Sequence, residues 1–438
     1  MCKMAAMKTL TTTILLLAFF AGATQAFAVI QETKFTAFDA ASGDNFGYSV
    51  STDGHYAIAG AYRDDHAYSD AGSAYIFERV GNTWTTPAIK LTDSAAREDD
   101  EFGISVSIDG SYAIVGAHQD NNIGFYETGS VSIFEHTEML GWVQQPKLLA
   151  GDAAQYDHFG TAVDIRGNYA IVGALDCDVN GEQNAGAAYV FKRETQGWEQ
   201  KAKLTANTPG LNNQFGNAVA IDGDYAIVGE EDSDNYSYTG AVYIYERSGE
   251  TWSTPIKLTA EDATAGDFFG HSVSIDGDYA IVGAYWDDID GIANAGSAYI
   301  FHRSGGTWIQ QAKLVADDAT KDDWFGCSVS ISGDYAMVGS HQDDDGGAQS
   351  GSAYVFHRTG TTTWTQIRKL TAGDAAGGDN FGRAVSIRGE YGMAGAPYSD
   401  GNGTSSGSAY MFHPVPEPCT AAMLLLAAAA LLFIRRAR

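Results

Sequence analysis

His271-Ser-Val-Ser-Ile-Asp-Gly-Asp-Tyr-Ala-Ile-Val-Gly283 spells out a hairpin in thirteen residues. His271 to Ile275 alternates polar and apolar residues with period two, the pattern of a half-buried strand. Asp276-Gly277 follows, a dipeptide suited to a type I′ turn because both central residues need positive φ. Tyr279-Ala-Ile-Val-Gly283 is apolar throughout and reads as a strand covered on both faces. A loop with three aspartates then leads to Gly296-Ser-Ala-Tyr-Ile-Phe301. Ser304-Gly305-Gly306 turns the chain into Trp308-Ile-Gln-Gln-Ala-Lys-Leu314, the most polar of the four segments and hence the expected edge strand.

The unit recurs seven times. Phe-Gly stands at Phe46, Phe102, Phe159, Phe215, Phe269, Phe325 and Phe381, at steps of 56, 57, 56, 54, 56 and 56 residues. Thirteen residues after each of those glycines is another: Gly60, Gly116, Gly173, Gly229, Gly283, Gly339 and Gly395. A fixed period of this length means a repeat architecture, and four antiparallel strands per repeat describe a propeller blade. A parallel β-helix has shorter repeats and no internal hairpins. The seventh unit ends at Gly407-Ser-Ala-Tyr-Met-Phe412 and lacks its Trp…Lys-Leu strand, while Lys34-Phe-Thr-Ala37 copies Lys369-Leu-Thr-Ala372. The N-terminal strand is thus expected to complete the last blade and close a seven-bladed, all-β ring over residues 29–413.

Phe-Gly-x-Ser-Val, Gly-Asp-Tyr-Ala-Ile-Val-Gly-Ala and Gly-Ser-Ala-Tyr-Ile-Phe-x-Arg resemble FG-GAP repeats, the blades of integrin α-chain propellers. The likeness spans residues 35–413 and implies the propeller fold, but it is uninformative about activity, because one fold hosts many functions. One departure matters. The integrin-type calcium loop lies between the first two strands of a blade, and here that connection is only Asp53-Gly54, Asp109-Gly110, Asp222-Gly223, Asp276-Gly277, or Arg/Ser-Gly in the other three blades. The family's calcium sites are therefore not transferred to those turns.

Both ends read as targeting sequence. Residues 1–28 combine Lys3 and Lys8, the apolar run Ile14 to Phe20 and Ala26-Phe27-Ala28, the plan of a secretory signal peptide, with Met7 an alternative start. Residues 414–438 hold Pro416-Glu417-Pro418, an apolar helix over 420–434 and Arg435-Arg436-Ala437-Arg438. The sixteen residues from Cys419 to Ile434 reach only ~24 Å as a helix, short of a ~30 Å hydrocarbon core, which suits transient inner-membrane anchoring. The tail resembles the PEP-CTERM sorting signal handled by exosortases, so the resemblance implies an exported protein whose partners include exosortase and the secretion machinery.

The chain has 55 acidic and 26 basic residues, a formal net charge of −29. This excludes nucleic acid as a partner, since a polyanion is repelled. In a meander the long connections, from strand two to three and from blade to blade, emerge on one face. Nineteen acidic residues lie in the first set and eighteen in the second, against Arg63, Arg97 and Lys321. Within the blade-to-blade loops Asp-Ala-x-x-x-Asp recurs, as in Asp39/Asp44, Asp262/Asp267, Asp318/Asp323 and Asp374/Asp379. Such aspartates either bind backbone N–H groups and fix the crossing or serve a hard cation. Asp176-Cys-Asp178-Val-Asn180-Gly181 has calcium-loop spacing, without the closing glutamate, and makes Asp176, Asp178 and Asn180 the candidate calcium ligands.

No hydrolase elbow, zincin helix, phosphate loop or paired-cysteine motif is present, and Cys177 and Cys327 read as free thiols. The ten histidines are scattered, and the near-equivalence of the blades argues against one asymmetric active site. The expected function is non-enzymatic binding or adhesion at the cell surface or in the extracellular matrix, through the acidic long-loop face, to polysaccharide or envelope protein. The alternative is a secreted glycan hydrolase or lyase with an acidic axial pocket. Glu230, Glu231, Tyr236 and Tyr238 in the fourth unit, with Phe125 and Tyr126 in the second, are the candidate ligand-face residues, because aromatics beside polar groups suit such contacts.

Overall fold

The computed structural model describes residues 31–122, 124–231 and 239–413. The proposed leader, the Pro416-Glu417-Pro418 tail, Tyr236 and Tyr238 lie outside the described residues. Glu32 to His413 folds as one unit of seven antiparallel sheets. In the fifth blade Phe269–Asp276, Tyr279–Ala284, Ser297–Ser304 and Thr307–Leu314 pair in chain order, but the turn falls one residue later than expected. Asp276 ends its strand opposite Tyr279, Gly277-Asp278 are the two turn residues, and only Gly277 has positive φ, so the turn is not of type I′. The all-apolar second strand is buried along Ala280 to Ala284, as the lack of alternation requires.

The fourth strand is the edge, as expected, but it is not continuous in every blade. In blades 1 and 4 it divides into Thr83–Trp84 with Ile89–Leu91 and Thr251–Trp252 with Ile256–Leu258. Pro87 and Pro255 fall in the gaps and have no N–H to give the ladder. Blades 3, 5 and 6 have no proline there and instead shift register once, between Val190/Phe191, Ile300/Phe301 and Val355/Phe356 of the third strand. Both devices break a long, pairable edge on the rim.

Packing between blades explains the two invariant glycines. A Cβ on Gly60 would lie 1.9 Å from the carbonyl oxygen of Gly103 in the next blade, and one on Gly395 would lie 1.9 Å from that of Gly47. Only hydrogen fits between these backbones. The second contact joins blade 7 to blade 1, so the repeat that spaces the blades also closes the ring. Gln31–Phe35 lies beside Ser408–His413, as expected from the sequence, and Phe46 bridges Gly407. The core is sandwiched between neighbouring blades. At the closure Phe35, Met393 and Met411 pack with Phe46, Tyr75 and Phe77, all 1% exposed or less. Around the axis the inner strands are tied by seryl hydroxyls accepting from the next blade, such as Ile108 N–H to Ser51 Oγ (3.2 Å) and, across the closure, Thr52 N–H to Ser386 Oγ (3.1 Å).

Candidate functional site

The long-loop face has two zones built on different logic. The outer zone is a repeated clamp. In blade 1, Lys90 Nζ lies 2.6 Å from Asp39 and 2.7 Å from Asp64, and Tyr75 Oη donates to both carboxylates at 2.8 and 2.5 Å. The same set recurs as Lys313 with Asp262, Asp287 and Tyr299, and as Lys369 with Asp318, Asp343 and Tyr354. Blade 2 keeps Lys147 between Asp93 and Asp120, both at 2.5 Å. Blade 7 uses Lys34 and Tyr410 on Asp374, reached through the N-terminal strand. The clamp ties the incoming loop, the second long loop and the fourth strand of one blade together.

This corrects the charge balance expected of the face. The lysine of each Lys-Leu strand returns its ammonium into the acidic loops, so Arg63, Arg97 and Lys321 are not the only cations there. Burial disfavours the charged form of Lys147, yet Asp120 and Asp93 outweigh it and hold its pKa above the usual value. The second aspartate of Asp-Ala-x-x-x-Asp takes the loop-fixing role: Asp44, Asp157, Asp267 and Asp323 accept the backbone N–H three residues before at 2.6–2.7 Å.

The calcium candidates are each engaged in loop contacts. Asp176 faces His158 Nδ1 at 2.6 Å and accepts from Gln214 at 3.4 Å. Asp178 accepts the Asn184 N–H at 3.0 Å, just as Asp288 accepts that of Asn294 at 2.9 Å, and Asn180 supplies a turn position at φ 56°. In these contacts their spacing builds a loop closure. Among the described residues Asp93, Asp100 and Asp120 form a converging carboxylate trio, and Lys147 already bridges two of them. Glu230, expected on the ligand face, is fully buried. It accepts from Tyr243 Oη at 2.6 Å and lies 3.6 Å from Lys257, standing in for the clamp aspartate, because position 233 is serine. Cys177 occupies that position in blade 3, 3.3 Å from Lys203, and both it and Cys327 are free thiols. Phe125 and Tyr126 are exposed on this face, next to Glu127, which reaches His158 at 3.1 Å.

The inner zone is a ring at the long-loop end of the axis, and there every blade differs. Two positions supply most of it: the residue after Phe-Gly and the second residue after the Val-Gly glycine. The first reads Tyr48, Ile104, Thr161, Asn217, His271, Cys327, Arg383; the second reads Tyr62, His118, Leu175, Glu231, Tyr285, His341, Pro397. Arg383 donates to Tyr48 Oη at 2.9 Å, and Tyr48 meets Tyr62 with ring centroids 4.6 Å apart. His118 lies 3.5 Å from Glu101, and its ring is 5.6 Å from that of His158, which holds Asp176. Asn217 donates to Glu231 at 3.1 Å, and Glu231 is 3.0 Å from His271. His271 then contacts Tyr285 at 4.4 Å, Tyr285 contacts Trp324 at 5.7 Å, and Trp324 contacts His341 at 5.4 Å, beside Arg383.

Burial sets the charges of this ring. It pushes His118 down to about 4, with His158 adding repulsion, and His341 down to about 3, with Arg383 and His271 adding theirs. It raises Glu101 to about 7 despite Arg63. At His158 burial again opposes the cation, but Asp176 and Glu127 win and hold the pKa above its ordinary value. Four buried polar atoms of the ring, His118 Nδ1, Asn217 Oδ1, Trp324 Nε1 and His341 Nδ1, have no hydrogen-bonding partner.

Four of the ten histidines therefore stand in two clusters, His118 with His158 and His271 with His341 through Tyr285 and Trp324, rather than scattered as expected. The signal was present in the sequence as two columns of unlike residues between near-invariant flanks.

A family model described as FG-GAP repeat matches residues 29–77, 84–134, 142–191, 198–245, 252–301, 308–356 and 364–412, one match per blade. No curated protein matches the chain.

Proposed function

The chain belongs to the FG-GAP repeat family, and from that premise we propose that it is a surface-associated binding propeller whose ligand sits on the axial ring. One observation carries the reading: blades alike in clamp, core and closure diverge at the two ring positions, where histidines, aromatics and acids from different blades meet. Repeats that serve only the scaffold need no such divergence. Aromatic faces beside hydrogen-bonding groups suit a polysaccharide, with an envelope protein the other candidate partner. The terminal segments support export by the secretion machinery, exosortase processing and release at the cell surface, after transient anchoring in the inner membrane. Intact Arg438 in the extracellular protein would count against that processing.

A second reading, a secreted glycan hydrolase or lyase, draws on Glu101, whose carboxyl stays protonated toward neutral pH beside His118. Glycan-array binding by the purified protein, with a parallel assay for released sugar, separates the two. Binding without release supports the binding propeller, and release of sugar supports the enzyme. Absence of both defeats the glycan reading.

A further inference from the structure

Within the ring three histidines face carboxylates, while His341 and Arg383 do not. Glu101 faces His118, Asp176 and Glu127 face His158, and Glu231 faces His271. Arg383 spends one N–H on the Tyr48 hydroxyl, stacks over the Tyr48 ring at 4.9 Å, and pairs with no carboxylate among the described residues. In a chain with twice as many acids as bases, a half-buried guanidinium left without a counter-ion is an unmet demand for an anion. A blade-6 neighbour adds to that demand: the indole N–H of Trp324, a donor only, is buried without a partner. Beside them stands an aromatic wall in which Trp324 meets both Tyr285, at 5.7 Å, and Trp286, at 6.1 Å.

We propose that the blade 6–7 side of the ring is a subsite for a carboxylate-bearing sugar, a uronic acid unit whose carboxylate pairs with Arg383 while its C–H face lies on the aromatic wall. The guanidinium fork matches a carboxylate in two parallel hydrogen bonds. The wall favours a sugar over a bare carboxylate, because pyranose C–H faces bury apolar area on indole and phenol rings. The net charge of −29 opposes a polyanion, so the unit recognised is a single acidic sugar in an otherwise neutral glycan. This rests on the reading that the axial ring binds glycan.

The test titrates methyl glucuronide and methyl galacturonide, their methyl esters, methyl glucoside, acetate and a peptide ending in glutamate into the wild-type protein at fixed ionic strength. Arg383→Met, Arg383→Lys and Trp324→Ala are compared, with melting curves to verify folding. We expect at least one uronide to bind tenfold or more tightly than its ester and than acetate or the peptide. Arg383→Met should lower its affinity to that of the ester, with Arg383→Lys intermediate and Trp324→Ala weakening acid and ester alike. Equal binding of acid and ester that Trp324→Ala abolishes would overturn the acidic subsite and leave the axial reading intact. Glycan binding unaffected by Trp324→Ala would remove both. Binding of acetate or peptide as tight as the uronide, or no uronide binding, would overturn the subsite.

Discussion

The outer clamp and the axial ring occupy the same face and are made of the same residue types, yet they behave oppositely under repetition. In the clamp, lysine, tyrosine and aspartate recur, and where a blade lacks the usual acid another group fills in, as Glu230 and Cys177 do. In the ring the backbone recurs and the side chains do not. Acidity alone is therefore a poor guide to function in this molecule, because much of it is spent on holding loops. Departure from the repeat is the better guide.

The contrast can be broken most strongly at Lys147. Lys147→Met leaves Asp93 and Asp120, with side chains 2% and 1% exposed, facing each other and Asp100 without a cation. Removing one partner of a buried ion pair costs about 3–5 kcal/mol, so urea unfolding should show a loss of that size. A loss below about 1 kcal/mol would mean that the clamp does not hold the rim. Gly395→Ala tests the closure that both zones depend on. The new methyl would meet the Gly47 carbonyl, and overpacking of this kind costs about 1–3 kcal/mol, the upper end being expected where both sides are backbone.

The ring should answer to pH. His341 is buried and faces Arg383, His271 and Trp324, and its pKa is depressed to about 3. A histidine depressed on folding contributes stability above its unfolded value near 6.5, and that stability is lost as the pH falls toward 3. Wild type should therefore lose up to about 1.4 kcal/mol per pH unit below 6.5 relative to His341→Asn. Glu101, raised by burial to about 7, works the other way, adding stability as the pH falls from 7 toward 4.5, but it is common to both proteins and cancels in the comparison. Parallel pH curves for the two proteins would contradict the assignment.

The smallest effect expected is that of calcium. With lysines already on the clamp acids and Asp176 and Asp178 engaged elsewhere, millimolar calcium should stabilise the protein over sodium chloride of equal ionic strength by no more than about 0.4 kcal/mol, the value for a half-filled site. A larger calcium-specific rise, removed by Asp176→Ala with Asp178→Ala, would restore that loop as a metal site.

The ring architecture was legible because period, hairpin turn and circular closure are local and repeated. The hairpin and the displaced Lys34 strand each appear in a few consecutive residues, although the turn sits at Gly277-Asp278, one residue past the dipeptide that announced it. The clamp was half legible: the aspartates were visible as a loop motif, but Lys90 stands 51 residues from Asp39, in a strand read as polar edge rather than as a charge returning to the face. The ring was read as noise. His118 and His341 share one repeat position but stand four blades apart, and His158 and His271 occupy others. Only the closing of strands around an axis sets His118 against His158 and His271 near His341. Proline breaks in the edge strand, at Pro87 and Pro255, were visible as residues and missed as structure.

The central claim is that ligand binding belongs to the axial ring and not to the acidic rim. Glycan-array binding should be measured for the wild type, for a rim variant with exposed Asp65, Asp288 and Asp344 changed to Asn, and for Tyr285→Ala with Trp324→Ala, each verified as folded. The rim variant should bind as the wild type does, and the axial variant should lose binding. Loss of binding in the rim variant, with binding intact in the axial one, would contradict the account.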